Sequence, residues 1–168
     1  AESVGREATS VVEVGTTFRV THHYFPSPDT PFLYQVDVTI ENISGSAVDD
    51  LRYRRVMDWD IPPTTFNEFV TIQGTADATD VILSTDDGFE NANPLTSNTP
   101  IDPTAVGDFV DSGPNDHGAC FDFGFGALAA GATKQFTTLY GAAGNEQDAL
   151  GALVAADAEV YSLGQANE

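Results

Sequence analysis

The stretch Leu33-Tyr-Gln-Val-Asp-Val-Thr-Ile-Glu-Asn-Ile-Ser-Gly-Ser-Ala-Val-Asp-Asp-Leu-Arg-Tyr-Arg-Arg-Val-Met-Asp-Trp59 decides the fold class. Apolar and polar residues alternate along both of its arms, the period of a strand with one face in a core and the other in water. Asn42-Ile-Ser-Gly-Ser46 supplies turn chemistry between the arms. An antiparallel hairpin centred there places Tyr34 opposite Trp59, Val36 opposite Met57 and Ile40 opposite Tyr53 on an apolar face. It places Glu41 opposite Arg52 on the charged face, with Arg54 beside Asp37, and Arg55 as the exception opposite Val38.

Working outward, Ser10 to Phe25 reads as one long or bent strand with Gly15 as a bulge, ended by the prolines at 26, 28 and 31. Further strands fall at Glu68 to Gln73, Asp80 to Ser84, Ala119 to Phe125 and Thr133 to Tyr140. Residues 85–118, rich in Asp, Asn, Pro, Thr and Gly, form an irregular excursion. Asn145 caps a short helix over 145–156, with Glu146 and Asp148 at its positive end, and residues 159–163 make a last strand. The expectation is one all-β domain over residues 1–168, an antiparallel sandwich with one C-terminal helix. Its predicted core is Phe18, Val20, Val36, Val38, Ile40, Tyr53, Met57, Phe121, Phe123, Phe136 and Leu139.

The chain has 168 residues and a formal net charge of −20, from 26 acids against six basic side chains. Such a field repels nucleic acid and anionic membrane surfaces, attracts cations, and suits a saline or calcium-rich medium. No apolar run reaches membrane-spanning length, and Cys120, the single cysteine, excludes an internal disulfide. The chain opens at Ala1-Glu2-Ser3 in place of an initiator Met, which reads as a mature or trimmed fragment, with removal of a signal peptide as the expectation. The expected location is extracellular or at the cell surface.

Two stretches carry a resemblance: Val36-Asp-Val-Thr-Ile-Glu-Asn-Ile-Ser-Gly-Ser-Ala-Val48 and Leu128-Ala-Ala-Gly-Ala-Thr-Lys-Gln-Phe-Thr-Thr-Leu-Tyr140. Together they cover about a quarter of the chain and resemble immunoglobulin-like β-sandwich modules of bacterial extracellular proteins, the CARDB-like group linked to cell adhesion. The resemblance implies a sandwich fold and an adhesive setting. It carries over no functional residue, and the long excursion and the helix–strand ending depart from that group's compact modules.

Candidate chemistry and assembly residues fall into five groups. Trp59, Tyr34 and Tyr53 with Asp58 and Asp60 make a sugar-stacking set, and Asp58 and Asp60, two apart on a strand, also offer a same-sided acid pair for hydrolysis, with Glu68 as a third acid. Asp86, Asp87, Glu90, Asn91 and Asp116, with Asp108, Asp111 and Asn115 behind them, supply the oxygens that Ca2+ prefers, although not at EF-hand spacing. His22, His23 and His117 are a weak zinc set, because adjacent strand residues face opposite ways. Cys120 sits among Phe121, Phe123 and Phe125 as a buried, inert thiol, and Lys134 is either a solvated strand residue or one end of a covalent cross-link. Thr9, Ser10, Val11, Val12, Glu13 and Val14 form a proline-free donor strand for assembly.

The leading functional expectation is a non-enzymatic structural or adhesive module that needs no cofactor, with Ca2+ as the ion it would take. Its partners would be itself, other extracellular subunits or polysaccharide. A carbohydrate-binding module and a two-carboxylate hydrolase are the alternatives.

Overall fold

The computed structural model describes residues 2–168, with side chains from residue 5 onward. In chain order the elements are β1 (Glu2–Val4), β2 (Glu7–Val14), β3 (Phe18–Pro26), β4 (Leu33–Asn42), β5 (Val48–Asp58), β6 (Glu68–Gln73), β7 (Val81–Thr85), β8 (Phe109–Asn115), β9 (Gly118–Leu128), β10 (Thr133–Gly141), α1 (Glu146–Ala155) and β11 (Tyr161–Ala166). The fold is all-β and sandwich-like, with three antiparallel sheets and one helix. The chain divides into two compact units, Ala1–Leu51 with Phe125–Ala158 and Arg52–Gly124 with Glu159–Glu168, and β5 and β9 each contribute residues to both.

The first unit holds the sheet β1-β2-β3-β4-β10. Its centre is β4, whose alternation works as the sequence predicts: Val36, Val38 and Ile40 are buried while Asp37 is exposed on the opposite face. The expected β4–β5 hairpin does not form. β3 pairs along one side of β4 and β10 along the other, so Tyr34 lies opposite Pro26 and Tyr140, and β5 joins a different sheet beside β9. Alternation assigns each residue a face but does not choose the neighbouring strand, and several arms of this chain share a compatible pattern.

Asn42 turns the chain out of the sheet. Fully buried, it donates from Nδ2 to the carbonyls of Ser46 (2.9 Å) and Leu128 (3.0 Å) and accepts at Oδ1 from Ser44 N and Oγ. Its backbone meets Gly131 and Ala132, so the two stretches that carry the family resemblance lie against each other.

The segment Ser10 to Phe25 is a hairpin, not one strand. Gly15 adopts φ +58° in the turn, a left-handed conformation that glycine takes without a Cβ penalty, and Thr17 N donates to Val14 O. Of the predicted core, Phe18 and Val20 are half-buried on the inward face, opposite Asn42 and Ile40, whereas Leu139 falls on the outer face opposite Gln35. Lys134 is not a solvated outer residue: it lies in register with Ile40 on the inward face, half-buried, with Nζ 4.2 Å from the centre of the Phe125 ring. At the helix, Asn145 Oδ1 accepts from Asp148 N at 2.9 Å, the expected cap.

In the second unit, Val70 and Ile72 of β6 pack against Ala119 and Phe121 of β9, with Trp59, Val81, Phe109, Phe123 and Val160 around them. β6 lies between β11 and β8. β8 falls inside the stretch expected to be irregular. With register shifts against β6, Asp111 and Gly113 at positive φ, and Pro114, it has no alternation to announce it. Cys120 is buried as expected, and burial pushes its thiol pKa up to about 12.

Candidate functional site

Asp58 ends β5, Asp60 follows in the next loop, and Asp116 lies in the turn between β8 and β9. Their carboxylates come together in the second unit, each offering an oxygen within 4.8 Å of the others, and all three are exposed. The backbone fixes this meeting. Trp59 N donates to His117 O, Gly118 N donates to Asp86 O, and Gly118 packs so closely on the Met57 carbonyl and on Gly88 that any side chain there would collide. Burial, then the charges of Asp60, Asp116 and Glu68, raises the Asp58 pKa. Three converging carboxylates offer the hard oxygen ligands that a divalent cation such as Ca2+ takes.

The calcium set expected within the excursion is not brought together. Among the described residues no three of Asp86, Asp87, Glu90 and Asp116 converge, because each has another task. Asp87 Oδ1 accepts from Phe89 N, Glu90 Oε1 from Asn91, and Asn91 Oδ1 from Asn93 N and Thr96 Oγ1. Only Asp116 takes part in a carboxylate cluster, and its partners are Asp58 and Asp60. Of the outlying acids, Asp108 accepts from Thr75 and Gly74, and hydrogen bonds from Thr75 lower its pKa. Asp111 exchanges hydrogen bonds with Thr71.

Two buried charged assemblies hold the excursion, and neither is legible in the sequence. The side chain of Arg54, 1% exposed, grips Asp122 through Nε–Oδ1 at 2.6 Å and Nη2–Oδ2 at 2.7 Å. Its remaining donors reach Asn91 O, Thr96 O and Thr96 Oγ1, with Glu90 Oε1 at 3.4 Å. Its expected outer-face partners are occupied elsewhere, since Glu41 pairs with Arg19 at 3.0 Å and Asp37 accepts from Gln35 and Thr137.

The second assembly joins Glu68, Asp86 and His117, all fully buried. Asp86 accepts from the amides of Ile101 (2.8 Å) and Asp102 (3.0 Å) and faces His117 Nδ1 at 3.1 Å. His117 Nε2 donates to the Glu68 carbonyl at 3.0 Å, and Glu68 accepts from the amides of Asn67 and His117. A ring that donates at Nε2 and faces a carboxylate at Nδ1 favours the imidazolium form. Burial is the strongest influence and lowers the His117 pKa, but the bonds to Asp86 and to the Glu68 backbone, with both charges, outweigh it and the net shift is upward. With both nitrogens engaged, His117 has no lone pair for zinc, while His23 meets Glu7 at 3.3 Å and His22 stacks on Tyr24.

The aromatic set is divided. Tyr34 stacks on Tyr140 in the first unit, with centroids 6.1 Å apart. Trp59 belongs to the second unit, where its ring lies against Gly164 and the apolar core and its buried Nε1 has no hydrogen-bond partner among the described residues. Tyr53 is half-buried in β5. Trp59 is thus a packing residue first.

The proposed assembly strand is β2, and it is no free extended terminus: β3 pairs with it from Ala8 to Val14. On its other side β1 covers only Glu7, Ala8 and Thr9, so among the described residues Ser10–Val14 has one strand neighbour. Val11, Val12 and Val14 there are 53%, 50% and 54% exposed.

Comparison of the chain with protein-family models, curated proteins and solved structures returned no match. Among the described residues no helix is long and apolar enough to cross a membrane.

Proposed function

We propose that this chain is a non-catalytic structural or adhesive module of a secreted or cell-surface protein, one that joins other chains by strand addition along β2. The observation that carries this reading is Ser10–Val14, which among the described residues has one strand neighbour and presents three half-exposed valines. Natural sheets usually blunt or cover such an edge, and an open one is a ready template for an incoming strand. The buried ionisable groups of the second unit favour a structural role as well, because Arg54, Asp86 and His117 spend their hydrogen-bonding capacity on the fold. The resemblance of Val36–Val48 and Leu128–Tyr140 to adhesion-related modules points the same way.

Light scattering of the purified chain across salt and millimolar calcium, with electron microscopy of any large species, tests the proposal. Ordered assemblies, or amide protection of Ser10–Val14 by an added extracellular partner, are the expected outcome. Catalytic turnover lost in Asp58→Asn with the fold intact would replace the reading with a hydrolase.

The cluster of Asp58, Asp60 and Asp116 supports a second, compatible reading, that the module takes a calcium ion at the end of β5. Terbium luminescence sensitised by the neighbouring Trp59 should rise on binding and fall in Asp116→Asn. A flat titration of the unaltered chain would dismiss it.

A further inference from the structure

The two units share the negative charge unequally, and we propose that this makes the second unit a salt-gated fold: salt in the medium screens its surface and holds it together, and at low ionic strength it loosens while the first unit stays intact. The proposal goes beyond strand addition and does not depend on it.

Charge is the first observation. The units are nearly equal in length. The first carries eleven acids against Arg6, Arg19 and Lys134, a formal charge of −8, and the second fifteen against Arg52, Arg54 and Arg55, a formal charge of −12. Repulsion within a body of given size grows with the square of its charge, so the second unit contains roughly twice the repulsion of the first. Its positive charge is also placed inside. Arg54 has a side chain 1% exposed and bound to Asp122, and His117 is fully buried beside Asp86. Outside, Asp58, Asp60, Asp77, Asp111 and Asp116 are exposed, and three of them, Asp58, Asp60 and Asp116, bring carboxylate oxygens within 4.8 Å of one another. In the first unit, by contrast, Arg19 stays at the surface between Glu13 at 3.1 Å and Glu41 at 3.0 Å.

Apolar burial runs the other way. Among the described residues, six buried apolar side chains of valine size or larger lie in the first unit, Val36, Val38 and Ile40 among them, and three in the second, Val70, Ile72 and Phe121. Hydrophobic stabilisation follows buried area, so the unit with more repulsion has less to set against it. Salt acts on one side of this balance. The Debye length is about 30 Å at 0.01 M and about 3 Å at 1 M, so neighbouring surface carboxylates repel almost fully at the first and weakly at the second. The buried pairs Arg54–Asp122 and His117–Asp86 are screened far less, so salt relieves the surface without loosening them. The carboxylate cluster around Asp58 is then presented only where ambient salt keeps the second unit folded.

The test follows both units in the full chain, with EDTA present so that divalent ions take no part. Trp59, the single tryptophan, lies against the core of the second unit and reports on it. As NaCl is lowered from about 1 M to about 0.01 M, its emission should shift to the red. Over the same range, amide protection of Val70 and Ile72 in β6 should fall by about tenfold or more, while that of Val38 and Ile40 in β4 changes by less than about twofold. Asp60→Asn combined with Asp116→Asn should lower the salt concentration of half-transition to about half or less. Asp29→Asn combined with Asp49→Asn removes the same two charges from exposed positions of the first unit and should leave that concentration nearly unchanged. Trp59 emission that does not move at the lowest salt, protection lost in both units together, or equal shifts from the two double variants would each overturn the proposal.

Discussion

In the five-stranded sheet of the first unit, the side chains that leave water most completely are the apolar Val36, Val38 and Ile40 and the uncharged Asn42; in the second unit, the ionisable Glu68, Asp86 and His117 leave it as completely as Val70 and Ile72 do. The two regions reach dryness by different physics. Apolar burial stabilises in proportion to area, roughly 25 cal/mol per Å2, and loses a little at a time when atoms are removed. A buried charge contributes little net energy while its partners are in place, but its loss leaves the opposite charge stranded in a medium that cannot solvate it. The first unit should therefore respond to mutation gradually, and the second abruptly and with a dependence on pH.

The sharpest test removes a charge. Arg54→Ala strands Asp122 and Glu90, and chemical denaturation should show a loss of about 3–5 kcal/mol. Arg54→Lys should recover only part of this, since an ammonium cannot reproduce the two-pronged grip on Asp122. A cost under about 1 kcal/mol, the usual range for exposed pairs, would erase the contrast between the regions. Next comes Ile40→Ala in β4, with an expected loss of about 3 kcal/mol and, unlike Arg54→Ala, no change in the pH dependence of stability.

His117 gives the third test. Its folded pKa lies above its ordinary value of 6.5. The protonated ring therefore favours the folded state: its contribution is complete below about pH 6.5 and drains away as pH rises through the folded value. Midpoints measured from pH 6 upward should fall in the unaltered chain and fall less steeply in His117→Gln. The smallest effect is expected at Asp58, whose raised pKa means that ionisation opposes folding as pH climbs above 3.8. Asp58→Asn should raise the thermal midpoint slightly at neutral pH, and calcium should raise that of the unaltered chain if the carboxylates hold it.

The same contrast explains what could be read beforehand. The alternation of β4, the bounds of β6 at Glu68–Gln73 and the cap at Asn145 are local patterns, and each lies in the structure where the sequence places it. Which strands pair was not legible, because a period of two is satisfied equally by β3, β5 or β10 beside β4. The buried charges were not legible either: Arg54 and Asp122 stand 68 residues apart, Asp86 and His117 stand 31 apart, and no periodicity joins them. At the carboxylate cluster, Asp58 and Asp60 were visible as an i, i+2 pair on a strand. The sequence groups Asp116 with the excursion's calcium set, and only the close packing of Gly118 on Met57 brings it to them.

Asn42 has a consequence for producing the protein. Asn42-Ile-Ser44 spells the acceptor pattern for N-linked glycosylation, yet both Nδ2 hydrogens are spent on carbonyls and the residue has no exposed surface. In a eukaryotic secretory host the sugar would be added to the nascent chain before the sheet closes. A chain modified in this way could not seat Asn42 between Ser46 and Leu128, so a bacterial host, or one lacking oligosaccharyl transferase, is expected to give the higher yield of folded material.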